Sequence, residues 1–159
     1  MPARCRSFVV LVILTLGAGC ATTSGPLVPS RPRAAHPVAQ RVVSEAHAFM
    51  GVAYRPGGAR PDGFDCSGFV QYLYRQQGIS LPRTTQAQFK AGTGVSSRRI
   101  LPGDLVFFRI SGRQVSHVGV SLGDDRFLHA PTVGRHVRVD RLGAPYWASR
   151  FAGVRRVTP

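Results

Sequence analysis

The sequence predicts an α+β domain in which N-terminal helices pack on a C-terminal antiparallel β-sheet of about five strands. Apolar residues recur at helical spacing in two stretches before residue 80. Beyond residue 100 the pattern changes to short β-rich runs separated by turns. Helices and strands are therefore segregated along the chain, whereas alternating βαβ units would have interleaved them and implied a parallel sheet.

Along the chain, residues 1–19 read as an export signal. Arg4 and Arg6 form a basic start, and the apolar run Phe8 to Leu16 is too short to span a hydrocarbon core, which needs about 20 residues. The small residues Gly17, Ala18 and Gly19 lead into Cys20, an order that resembles the bacterial lipoprotein signal, although Gly17 stands where that signal prefers an aliphatic residue. The resemblance implies lipidation of Cys20, export, and anchoring to the cell envelope. Ala21 is not the aspartate that signals inner-membrane retention, so an outer-membrane address is expected in a Gram-negative cell. Residues 20–36 then form a lipidated cysteine and a tether, with Pro26, Pro29 and Pro32 and no apolar periodicity.

Residues 37–159 read as one domain. Val38, Val42, Ala46, Phe49 and Met50 mark a first helix opened by Pro37 and stopped by Gly51. Pro56, Gly57, Gly58 and Pro61 mark a loop. A second helix starts near Asp65, a good N-cap, runs through Phe69, Val70 and Leu73, and stops at Gly78. Thr85-Gln86-Ala87-Gln88 has capping-box spacing and predicts a third, short helix. Five strands follow, over Leu105 to Phe108, Val115 to Leu122, Arg126 to Ala130, His136 to Arg141 and Phe151 to Val157.

Charge narrows the partners. Lys plus Arg number 21 against 7 Asp plus Glu, a net charge of +14, and Lys90 is the only lysine. An anionic partner is expected, such as acidic lipid or a carboxylate-bearing polymer. Nucleic acid is not expected, because export removes it and no reader motif occurs. Removal of the signal eliminates Cys5 and lipidation would consume Cys20, which leaves Cys66 without a disulfide partner. An exported protein with one free thiol admits two explanations, a small buried hydrophobe or a nucleophile.

Cys66 falls in the first turn of the second helix, where unpaired N–H groups and the positive end of the dipole favour a thiolate. Asp65 opposes that, so a histidine partner is wanted. His117, in a strand beside Val118, Gly119 and Val120, fits best, and His129 near the end of the next strand can orient it. His36, His47 and His136 read as surface or tether residues. No histidine pair has metal-ligand spacing, and Asp62 with Asp65 lacks the ligand density of a calcium loop, so neither metal nor cofactor is expected.

The motifs Asp65-Cys66-Ser67-Gly68, Arg83-Thr84-Thr85 with Gln88, Pro102-Gly103-Asp104-Leu105 with Phe107-Phe108, Ser116-His117-Val118-Gly119-Val120 and Phe127-Leu128-His129-Ala130 occur in that order. Together they resemble the NlpC-type family of papain-like cysteine peptidases over roughly residues 38 to 157. The resemblance implies Cys66 as nucleophile, His117 as base and His129 as the orienting third member. It further implies Tyr54 beside the nucleophile, and Asp65, Ser67 and Arg83 lining the substrate groove, with Arg55 and Arg60 nearby. The family's usual reaction is hydrolysis of peptidoglycan stem peptides between the γ-carboxyl of D-glutamate and a diamino acid, and a monomer is expected. The alternatives are a catalytically silent wall-binding lipoprotein and a cysteine amidase or acyltransferase with another substrate.

Overall fold

The computed structural model describes residues 36–158. The signal and almost all of the tether lie outside that range, Cys20 with them. Helix α1 covers Pro37–Ala48, with Pro37 in its first turn and the His36 side chain accepting from the Val38 N–H at 3.3 Å. It buries Ala39, Val42 and Ala46, and the chain leaves it through Gly51 at φ +84°.

A two-residue hairpin, β1 (Ala59–Arg60) and β2 (Gly63–Phe64), precedes α2 (Cys66–Gln76). Asp65 caps α2, its carboxylate accepting from the Gly68 N–H at 2.7 Å. Gly68 is required by space, because a Cβ there would lie 2.0 Å from the Gly58 carbonyl oxygen. Helix α3 covers Thr85–Lys90, and here the structure corrects the sequence reading by one residue. The cap is Thr84, which accepts from the Ala87 N–H at 3.4 Å. Gln88 does not reach back to close a capping box. It is fully buried and donates to the carbonyls of Ser67 and Pro82, both at 2.9 Å, which ties α3 to the start of α2.

The main sheet has six strands and not five. In chain order they are β3 (Thr93–Val95), β4 (Leu105–Phe108), β5 (His117–Gly123), β6 (Arg126–His129), β7 (Arg138–Arg141) and β8 (Phe151–Arg156). Their spatial order is β3-β8-β4-β5-β6-β7, every pair antiparallel. The unforeseen strand β3 is three residues long with a central Gly94, and it adds to an edge by backbone pairing that asks little of side chains. His136 lies before β7 and makes only an isolated bridge with Ala53. A four-residue helix, α4 (Pro145–Ala148), joins β7 to β8.

Strand periodicity divides the sheet into two buried faces. Leu105, Phe107, Val118, Val120 and Leu128 join the core formed with α1 and α2. Val106, Phe108, Phe127 and Val154 join a second core under Trp147 of α4. All four residues of β4 are therefore buried, and Leu105 to Phe108 read as one unbroken apolar run. A pair behind this frame, Asp104 with Arg156, makes two hydrogen bonds of 2.7 Å and pins β8 to the turn that opens β4.

Candidate active site

Cys66 is the first residue of α2, and the geometry there follows from the cap. Asp65 takes the Gly68 N–H with its side chain and the Phe69 N–H with its carbonyl, at 2.7 and 2.9 Å. The N–H groups of Cys66 and Ser67 are left without a backbone acceptor at the helix N-terminus, and that of Ser67 turns to the thiol. The Asp65 carboxylate is paired with Arg83, which also donates to Ser67 Oγ at 2.9 Å. Asp65, Ser67 and Arg83 thus form one cluster against the start of α2, and, against the sequence expectation, none of the three is in the lining of the groove that holds Cys66, His117 and Tyr54.

His117 opens β5, opposite Phe108 of β4. It points to the second face of the sheet, as does His129 at the end of β6. Their rings meet edge to face at 4.9 Å, and His117 Nε2 lies 2.8 Å from His129 Nδ1. Gly119 makes this approach feasible, because a Cβ there would sit 2.7 Å from the Phe127 ring and 3.1 Å from the His129 Cβ. With Nε2 engaged, Nδ1 is the His117 nitrogen left for a reacting group.

Cys66, His117 and Tyr54 line one groove of about 900 Å³ at the end of the sheet, with Trp147 in its wall. The structure therefore brings nucleophile and base candidates to one opening, with His129 behind the base. In this resting arrangement the sulfur is turned to Thr85, Sγ lying 3.7 Å from Thr85 Oγ1.

The electrostatics differ from the sequence expectation of a thiolate. Burial pushes the Cys66 thiol up, and Asp65 adds to the rise, while hydrogen bonds from Thr85 and the backbone of Val118 and Ser67 pull it down. Burial pushes His117 down to about 3, with His129 acting in the same direction and Asp140 opposing. Desolvation disfavours both charged forms, against the helix terminus that favours a thiolate. Burial likewise raises Tyr54, with Cys66 and Asp65 contributing, so its hydroxyl keeps its proton and can donate.

Two residues around the histidines escaped the sequence reading. Asp140 of β7 lies diagonally across from His129, whose Nε2 is 3.1 Å from Asp140 Oδ2. Trp147 Nε1 donates to the same oxygen at 3.0 Å, and its ring stacks on His117 at 5.4 Å. The arginines on the groove also differ from those expected. Arg55 is paired with Asp62, and the groove is instead lined by Arg126, Arg135, Arg138 and Arg141. No sequence signal places these; they converge only through the β6–β7 pairing and the loop between the two strands.

Comparison with known proteins agrees with the architecture. Over 121 residues the chain is 41% identical to a murein DD-endopeptidase MepS/murein LD-carboxypeptidase of Escherichia coli K12, covering 76% of this chain and 63% of that protein. A gamma-DL-glutamyl hydrolase of Bacillus subtilis is 40% identical over 138 residues, covering 84% of this chain and 33% of that one. The chain thus spans less than two thirds of either relative. An NlpC/P60 family protein of Bacillus cereus, known from its crystal structure, superposes with a TM-score of 0.75 at 33% identity, covering 79% of this chain and 42% of that one. The profile of the NlpC/P60 family matches residues 51–156, and the chain belongs to that family.

Proposed function

We propose that this chain is a cysteine endopeptidase of peptidoglycan stem peptides, cleaving between the γ-carboxyl of D-glutamate and a diamino acid. The observation that carries the proposal is the placement of Cys66 at a helix N-terminus on the same groove as His117, with His129 behind it. Support for the substrate class comes from the relatives, one named for murein and the other for a γ-glutamyl bond. Support for an anionic substrate comes from Arg126 and Arg135 on the groove, since stem peptides carry free carboxylates, whereas Arg138 and Arg141 there are paired with Asp140 and Asp125.

In the proposed reaction His117 Nδ1 takes the proton of Cys66 as the sulfur attacks the amide carbonyl. The oxyanion is met by the N–H groups of Cys66 and Ser67, with the protonated Tyr54 hydroxyl at the same groove; each good donor is worth about 3 kcal/mol. His117 then gives its proton to the leaving amine, and water returns the thioester to thiol and acid. The cluster of Asp65, Ser67 and Arg83 is assigned to the substrate peptide beside the nucleophile.

Defined muropeptides incubated with the full chain and analysed by mass spectrometry test this. Fragments ending at the γ-D-glutamyl bond are expected, and a Cys66→Ala control is expected to leave every substrate intact. Retention of intact muropeptides by the wild type would show a binding protein instead, and transfer to an added amine would show an acyltransferase. Anchoring is proposed on the sequence alone: lipidation at Cys20 predicts incorporation of a clickable palmitate that is lost in Cys20→Ala.

A further inference from the structure

Four donor contacts converge on one oxygen beside the histidine pair. Asp140 Oδ2 accepts from Trp147 Nε1 at 3.0 Å and from Arg138 at 2.8 and 3.3 Å, and lies 3.1 Å from His129 Nε2. Burial alone would raise this carboxyl, but the hydrogen bonds from His129 and Arg138 hold it well below the usual carboxylate range. It is ionised and can only accept.

The protons along the relay then have one arrangement. His129 Nε2 must carry hydrogen toward Asp140. Burial keeps His129 neutral, so its Nδ1 is a bare lone pair. That lone pair faces His117 Nε2 at 2.8 Å, so His117 Nε2 must be the donor. His117 is buried and neutral as well, which leaves its Nδ1 without a proton. We propose that Asp140 is a positioning residue that fixes, through His129, the His117 tautomer whose Nδ1 is able to take the Cys66 proton.

The proposal rests on the reading of Cys66 and His117 as nucleophile and base. Without the carboxylate, the bond between the histidines is satisfied equally well in either direction, and the reversed one puts hydrogen on His117 Nδ1, where a base needs a lone pair. With it, the charge that develops on His117 during attack meets a chain of donors already aimed at a carboxylate, and no hydrogen bond has to reverse. Trp147 reinforces the polarity, because an indole N–H only donates. Its ring, edge-on to His129 at 5.0 Å and stacked on His117, helps shield the relay from water. The bland alternative is that Asp140 only ties β7 to α4 through Arg138 and Trp147, with no bearing on the proton positions.

Imidazole nitrogen shifts of the full chain labelled with [15N]histidine decide between these, with His117 signals assigned by their loss in His117→Gln. The expected wild type has His117 protonated at Nε2 and bare at Nδ1. Asp140→Asn, whose amide oxygen is held in place by Trp147 and Arg138, is expected to keep that tautomer and kcat to within about tenfold. Asp140→Leu is expected to mix or reverse the tautomers and lower kcat on the order of 10²- to 10⁴-fold with little change in KM. A wild-type His117 protonated at Nδ1 overturns the proposal without recourse to any variant. So does an Asp140→Leu protein whose His117 tautomer and kcat match the wild type. Absence of Cys66-dependent cleavage by the wild type would overturn the hydrolase reading instead, a result separable from the tautomer.

Discussion

The two faces of the central strands β4, β5 and β6 are both buried, yet they are built on different terms. Under α1 and α2 the face is apolar: Leu105, Phe107, Val118, Val120 and Leu128 have only volume to match. Under α4, Phe108, Phe127 and Trp147 surround His117 and His129, and each polar atom has to be answered by another. A defect in the first face leaves a cavity, whose cost is spread over its neighbours. A defect in the second misplaces a proton, and its cost falls on chemistry. Stability and activity should therefore be separable by face, even though adjacent residues of the same strand supply both.

Replacement of His117 by Ala is the strongest way to sharpen this contrast. Hydrolysis is expected to fall by about 10³-fold or more, measured as release of muropeptide fragments, while urea unfolding stays cooperative. Phe107→Ala should do the converse. Removing a fully buried ring from the apolar face is expected to cost about 3–5 kcal/mol in urea unfolding, with Cys66-dependent cleavage retained wherever the protein is folded. Equal losses of activity from the two changes would erase the distinction between the faces.

Gly119→Ala tests whether close approach of the strands serves the polar face. The added methyl meets the Phe127 ring at 2.7 Å and the Leu128 carbonyl at 3.0 Å, so a loss of about 1–3 kcal/mol is expected. The rate should fall as well, since His129 must shift to make room.

The smallest effect expected is a pH dependence. The folded-state pKa of His117 is depressed to about 3 from 6.5 by burial, and His129 is depressed too. As pH falls below about 6.5 the unfolded chain binds these protons first, so the stability present above that value is progressively lost down to about 3. Unfolding free energies measured at about pH 7.5 and pH 5 should differ more in the wild type than in His117→Leu. Identical pH slopes would contradict burial of a neutral imidazole.

Much of this was legible in the chain. Asp65 as a cap, Cys66 in the first turn and five of the six main strands follow from local pattern, because capping chemistry and alternation act within a few residues. The cap at Thr84 was missed because Thr85 and Gln88 have the same spacing, and only tertiary packing sends Gln88 to Ser67 and Pro82. Asp140 was illegible for another reason. Within Arg138-Val139-Asp140-Arg141 it looks like one charge of a solvated strand, and its meaning depends on the β6–β7 register and on a tryptophan carried by a four-residue helix. The opposition to a thiolate was illegible because dipole and placement can be read from sequence, whereas the depth of burial that works against them cannot.

The central claim is that the Cys66 sulfur performs the hydrolysis, and graded alkylation tests it most directly. Aliquots treated with iodoacetamide for increasing times are split, one half mapped by mass spectrometry for modification at Cys66 and the other assayed on muropeptides. The account predicts that activity falls in proportion to the fraction of Cys66 alkylated and vanishes when modification is complete. Undiminished hydrolysis by a protein fully alkylated at Cys66 would contradict it.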